Sequence, residues 1–285
     1  MKKILVPTDF SPNSGKALDY AAEIAKRSGA SIILLHITEA THASLNEYVI
    51  LEGDYDREII ATANQKLEIM ARATREVAGV HVQYEIYNGF VPDAIREATK
   101  KNHADLVVMG TVGDSGVREK LFGSMTASVI GQSLIPVLAI PLLAEAEPPL
   151  NILLAVHDFT EHHETADMAF YLAELFNIPI QVTVFTDDRL ADAADYINNR
   201  REIETFTRSM QQKHPSIKVE STPVYGHNFE EALKSHIAAN HTGILVMLTH
   251  KRSFLESLFR RSMTKKMSYH TNIPLLSIPV QKINK

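Results

Sequence analysis

The sequence has no cysteine, which excludes disulfides, thiolate metal sites and cysteine nucleophiles and suits a reducing cytosol. It lacks any apolar run near the ~20 residues needed to span a bilayer. Met1-Lys2-Lys3 leads straight into a strand-like Ile4-Leu5-Val6 rather than a signal-peptide core. An excess of one charge is missing too. With 29 Lys+Arg against 34 Asp+Glu the net charge is -5, so no global field favours nucleic acid or an anionic membrane. The expectation is a cytoplasmic chain with neither nucleic acid nor membrane among its partners.

What is present is ordinary globular composition, 45% hydrophobic and 22% charged, in 285 residues. That length points to about two domains of roughly 140 residues each. Self-similarity supports the division. Residues 4–10, ILVPTDF, return at 153–159 as LLAVHDF, and 133–141, SLIPVLAIP, return at 271–279 as TNIPLLSIP. The offset falls from 149 (158 minus 9) to 138 (274 minus 136), so the second copy is 11 residues shorter, with the loss before its third strand. A repeat this long is a duplicated domain. The acidic, Pro-containing segment Ala144 to Pro149 reads as the linker, giving domains of 1–143 and 150–285.

Within each copy, short apolar runs alternate with helical periodicity, the pattern of a parallel sheet covered by crossover helices. Copy one should place strands at Lys3–Thr8, Ser31–Ile37, His81–Tyr87, Asp105–Gly110 and Val137–Ile140. Leu18, Ala21, Ala22 and Ala25 mark its first helix, capped by Ser11 or Ser14. Ala63, Leu67, Met70, Ala71 and Thr74 mark its second. In copy two, Ala166, Ala169, Phe170 and Ala173 match the first helix, and the second falls within 191–213. The fold class is therefore α/β: two tandem open five-stranded parallel-sheet domains with helices on both faces, Rossmann-like. Such sheets bind ligands beyond the carboxyl ends of their strands, where the strand order reverses.

After the fourth strand comes Met109-Gly110-Thr111-Val112-Gly113, then nine residues to Gly123-Ser124-Met125-Thr126, a G-x2-G-x9-G-S spacing. Glycines admit close approach of backbone N–H groups to an anion, and Ser124 and Thr126 stand where a helix begins. Such a segment can cradle phosphates, although a Gly-rich turn is the bland alternative.

With these segments in view, the chain resembles a tandem member of the universal stress protein family. The likeness runs from Pro7-Thr8-Asp9-Phe10-Ser11 and Leu34-Leu35-His36-Ile37 through the glycine segment to Ile135-Pro136-Val137. The resemblance implies ATP, with or without Mg²⁺, as cofactor. It implies Asp9 on the adenine and ribose side, Ile37 near the base through its main chain, and Pro7 lining the pocket. Met109, Gly110, Gly113, Gly123, Ser124, Met125 and Thr126 would hold ribose and phosphates. Asp9 has a second reading as a helix-capping acid.

Copy two departs from this pattern. At the offset of 138, Gly110 becomes Leu248, Gly113 becomes Lys251 and Gly123 becomes Arg261, while Ser262 and Met263 persist. Lys251, Arg252, Arg260, Arg261, Lys265 and Lys266 form a basic cluster, read as a solvated face or as an anion grip. His157, His162 and His163 near Asp158 read as surface histidines rather than a metal site.

No Walker motif, G-x-S-x-G or H-E-x-x-H occurs. No catalytic base is identifiable, and any ATP hydrolysis should be slow. The leading expectation is a nucleotide-dependent stress or regulatory protein binding adenine nucleotide in copy one. A weak ATPase or adenylate-chemistry enzyme and a nucleotide-independent interaction scaffold remain as alternatives. The last strands, Val137–Ile140 and 275–278, are short apolar edges whose pairing would make an internal pseudo-dimer. Symmetric homodimerisation is a further expectation, with no interface legible.

Overall fold

The computed structural model describes residues 1–38, 49–111, 124–144, 147–156, 166–189, 191–250 and 272–280. They divide into two compact units, one ending at Ile135 and the other starting at Pro136.

The first unit contains β1 (Lys3–Thr8), α1 (Pro12–Ser28), β2 (Ser31–Thr38), α2 (Val49–Ala78), β3 (Val82–Asn88), α3 (Val91–Asn102), β4 (Leu106–Gly110) and α4 (Ser124–Gln132). Its strands lie in the order β3-β2-β1-β4, and all three pairings are parallel. Ile4 and Leu5 on β1 and Ile32 and Leu34 on β2 are fully buried, as continuous apolar strands covered on both faces must be. α1 starts at Pro12 because Ser11 caps it, accepting a hydrogen bond from Ser14 N at 3.2 Å. It ends at Gly29, which takes φ 71 and donates its N–H to Ala25 O at 2.8 Å, a left-handed closure that glycine adopts without strain. Half of its buried residues are alanine, so the helix axis can approach the sheet closely. On α2, Ala63, Leu67 and Ala71 are buried as the periodicity requires. The chain goes from β1 to β2 on one side and returns to β4 on the other. The reversal therefore lies between the carboxyl ends of β1 and β4.

The second unit contains β5 (Val137–Ile140), β6 (Ile152–Val156), α5 (Asp167–Phe176), β7 (Ile180–Asp187), α6 (Ala193–Lys213), β8 (Val219–Ser221), β9 (Val224–Gly226), α7 (Phe229–Ala239), β10 (Ile244–His250) and β11 (Leu275–Val280). The sheet runs β5-β11-β10-β6-β7-β8, with β9 also on β7. β5, the last strand of copy one in sequence, is grouped here because it pairs antiparallel with β11, Leu276 opposite Leu138. The pairing expected of these two apolar strands is thus present. The third strand of copy two is split into β8 and β9 around Thr222-Pro223, where proline cannot donate to the ladder. α6 has 21 residues against 30 in α2, and this shortening supplies most of the missing length before the third strand. A capping box between Asp192 and Asp195 fixes its start.

Gly243, just before β10, shows how the end of the linker is seated. A Cβ there would lie 2.7 Å from Pro149 Cβ and 2.8 Å from Pro149 Cα. Gly243→Ala should therefore lower stability by about 1–3 kcal/mol, as overpacking does, whereas Ala at exposed Gly131, where a Cβ meets nothing within 4 Å, should raise it by roughly 0.5–1 kcal/mol. Urea-unfolding midpoints of the two variants check the opposite signs.

Candidate functional site

The site begins where β1 passes into α1. Thr8 Oγ1 accepts from Phe10 N at 3.1 Å, and Asp9 Oδ1 accepts from Ser11 N at 3.0 Å, a local side-chain turn of the kind Asp favours. Ser14 Oγ donates to Ser11 O at 2.9 Å and lies 3.1 Å from Thr8 Oγ1. Phe10 itself takes φ 64, left-handed backbone that a bulky residue rarely adopts. Asp9 is exposed, with its carboxylate oriented by the Ser11 N–H. The helix cap is Ser11, so Asp9 does not fill that role.

On the other side of the reversal, β4 ends at Gly110, followed by the buried Thr111. A Cβ on Gly110 would stand 2.7 Å from Asn13 Nδ2 and 3.1 Å from the Asn13 backbone carbon. Glycine at 110 therefore lets the first turn of α1 close over the end of β4, a reason independent of any ligand. Thr126, 3% exposed, shares its hydroxyl hydrogen between Gly110 O at 3.3 Å and Thr111 O at 3.1 Å. That bond moors the first turn of α4 beside the end of β4. Ser124, the first residue of α4, is exposed, and Met125 is half-buried. Helix N-termini of this kind favour anions.

The structure thus gathers Asp9, Gly110, Ser124, Met125 and Thr126 around the β1/β4 reversal, with Pro7 and Met109 buried in the strands beneath. Ile37 stands one strand further away, on β2 beyond β1, partly exposed. Gly113 and Gly123 lie outside the described residues, as do the basic cluster from Lys251 to Lys266 and His157, Asp158, His162 and His163. Among the described residues no group of three His, Asp or Glu converges as metal ligands would, and no helix is long and apolar enough to cross a membrane. Asn13 and Phe10 escaped the sequence reading. A polar residue in the first turn of a helix reads as solvent-facing, and nothing local marks a phenylalanine for left-handed backbone.

The corresponding reversal in the second unit is built differently. Leu248, at the position of Gly110, is 9% exposed, and β10 continues past it to pair Thr249 with Pro279 and His250 with Val280. Thr249 Oγ1 donates to Ile278 O at 3.2 Å. The strand persists where β4 has ended. At the end of β7, Asp187 meets Arg189 through Nε at 3.0 Å and Nη2 at 2.7 Å.

Each unit is a doubly wound, Rossmann-like α/β sheet whose strand order reverses beside its first strand. The model of the universal stress protein family matches residues 1–141 and again 150–279. The chain belongs to that family, as a tandem two-domain member. A universal stress protein of Methanocaldococcus jannaschii is 32% identical over 143 residues, covering 49% of this chain and 81% of that protein. One from Bacillus subtilis is 34% identical over 144 residues, covering 48% of this chain and 97% of its own length. The crystal structure of a universal stress protein from Archaeoglobus fulgidus covers 98% of this chain and 97% of its own, with a TM-score of 0.71 at 17% identity. That likeness extends the shared fold over both repeats.

Two outcomes follow from this geometry. Gly110→Ala should cost about 1–3 kcal/mol of stability through its clash with Asn13, read from the thermal midpoint without added ligand. The hydrogen bonds from Arg189 hold the Asp187 carboxyl down at about 2. A depressed folded pKa contributes stability above the ordinary carboxylate value, and that contribution is lost as pH falls through about 2. In Arg189→Ala the guanidinium bonds are lost while the N–H of residue 189 still donates to Asp187 Oδ1, so the carboxyl should titrate higher than in the unaltered chain yet stay below its ordinary value, as followed by NMR of the Asp187 side chain.

Proposed function

We propose that this chain is a nucleotide-dependent stress or regulatory protein of the cytoplasm that binds one ATP, with or without Mg²⁺, in the first repeat. The observation that carries the reading is the contrast between the two reversals. In the first unit β4 stops at Gly110 and the N-terminus of α4 is moored beside it by Thr126, whereas β10 runs on through Leu248. A backbone that ends at glycine beside a helix N-terminus can present N–H groups to phosphate. A strand that continues with leucine has those groups in its ladder.

In this reading Asp9 faces the ribose and adenine, Ile37 meets the base through its main chain, and Pro7 and Met109 form the pocket wall. Gly110, Gly113, Gly123, Ser124, Met125 and Thr126 surround ribose and phosphates. The Thr126 hydroxyl hydrogen is engaged by carbonyls, so Thr126 would act chiefly by holding α4, leaving the exposed Ser124 as the hydroxyl for the anion. Occupancy would act by ordering the first repeat for a partner. The second repeat would serve as a nucleotide-free companion, and the antiparallel β5/β11 pairing supports reading it as half of an internal pseudo-dimer.

Equilibrium dialysis at saturating ATP should give one site per chain. Gly123→Val should weaken it at least a hundredfold, because losing two charge-assisted hydrogen bonds of roughly 1.5–3 kcal/mol each removes about 3–6 kcal/mol. Two sites of similar affinity, or unchanged binding in this variant, would refute the assignment.

A further inference from the structure

Outside that site, the first unit carries a groove of about 420 Å³ beside the end of β2. It is lined by Phe10, His36, Glu58, Thr62, Ala63 and Lys66, with Ile59 beside them, and by none of the residues assigned to the nucleotide. Its volume falls in the range of small-molecule sites.

Three features give it the character of a built site. Phe10 holds left-handed backbone, φ 64, against its own steric preference, and such strain persists only where surrounding bonds over-determine it, commonly at ligand sites. Here Thr8 Oγ1 and Asp9 Oδ1 supply those bonds, through Phe10 N and Ser11 N. The consequence is that the Phe10 ring meets the His36 imidazole at 4.4 Å between centroids, 35° between planes. His36 is fixed in turn, its Nδ1 lying 2.8 Å from Thr8 O. A carbonyl only accepts, so Nδ1 carries the proton, and Nε2 remains as the ring's second polar atom. Lys66 Nζ stands 5.1 Å from the Phe10 ring centroid, placing an ammonium at the aromatic face. Lys66 is the cation of the lining; Glu58, eight residues earlier on α2, is about 12 Å away along the helix axis, and Asp9 beside Phe10 accepts from Ser11 N through Oδ1.

We propose that this groove is a second ligand site, for a small planar aromatic carboxylate. The ligand's ring packs edge-on against Phe10 beside Ile59, and its carboxylate meets Lys66 Nζ. Aromatic pairing supplies the preference for a flat ring, and the ammonium supplies the preference for an anion. The His36 bond to Thr8 O keeps the platform in place.

The probe is benzoate, titrated into the full chain while the ring resonances of Phe10 and His36 are followed by NMR. Saturable shifts are expected, with at least tenfold weaker binding of benzamide, which lacks the charge, and of cyclohexanecarboxylate, which lacks the flat face. Lys66→Gln, which keeps most of the side-chain stem, should weaken benzoate at least tenfold while leaving the thermal midpoint in place. Phe10→Leu should do the same, and if it fails to fold, Lys66→Gln alone decides. Gly123→Val and saturating ATP should both leave benzoate binding unchanged, which separates this site from the nucleotide reading. Absence of saturable shifts, equal affinity in Lys66→Gln, equal affinity for benzamide, or displacement by ATP would each overturn the proposal.

Discussion

Much of what gathers at the carboxyl end of the first unit depends on the turn by which β1 hands the chain to α1. The three residues between Thr8 and Pro12 must reverse direction over the end of a parallel strand without leaving buried backbone groups unmet. Side chains do this work: Thr8 and Asp9 accept from the N–H groups of Phe10 and Ser11, and Ser11 caps the helix. With the turn fixed, Asn13 arrives against Gly110, Asp9 stands exposed toward the reversal, and Phe10 is forced across to His36. One set of local hydrogen bonds therefore positions elements on two sides of β1. A change in the turn would be felt by the candidate nucleotide site and by the groove beside α2 alike.

The two repeats show how one substitution in a shared fold changes what a strand end can do. Gly110 accommodates the first turn of α1, and the strand terminates there. Leu248 is instead drawn into the core, and β10 gains two further parallel partners on β11. Burial of a leucine side chain stabilises by roughly 1.5–3 kcal/mol, so the second repeat exchanges an open strand end for packing. Its third strand, broken at Pro223, and its shortened α6 are further departures. Each leaves the parallel order of the sheet intact while altering the surface at its carboxyl edge.

Several parts of this were legible without coordinates. β1 and β5 fall where alternation of apolar runs with turn residues puts them, and Ser11 caps α1 as a serine before Pro12 should. On the stripe read for α2, Ala63, Leu67 and Ala71 are buried and Met70 and Thr74 half-buried. The glycine segment pointed to the β1/β4 reversal, and Gly110 and Thr126 do meet there. Other features were not legible. That Gly110 answers to Asn13 depends on two residues 97 positions apart (110 minus 13) packing so closely that a Cβ on the first would stand 2.7 Å from the second. That the Thr126 hydroxyl turns to the carbonyls of Gly110 and Thr111 depends on where α4 sits. The left-handed Phe10 and its contact with His36 have no local signature at all.

The division has a physical basis. The amino-acid sequence by itself determined the duplication, the strand and helix sites, the buried faces and the loss of glycines in the second repeat. These follow from periodicity, propensity and residue identity, which act over a few neighbouring positions. Only the tertiary structure decided which side chains converge: Asn13 on Gly110, Thr126 on the end of β4, Lys66 over Phe10, and β5 against β11. Each is a meeting of groups far apart along the chain, set by sheet order, helix placement and close packing.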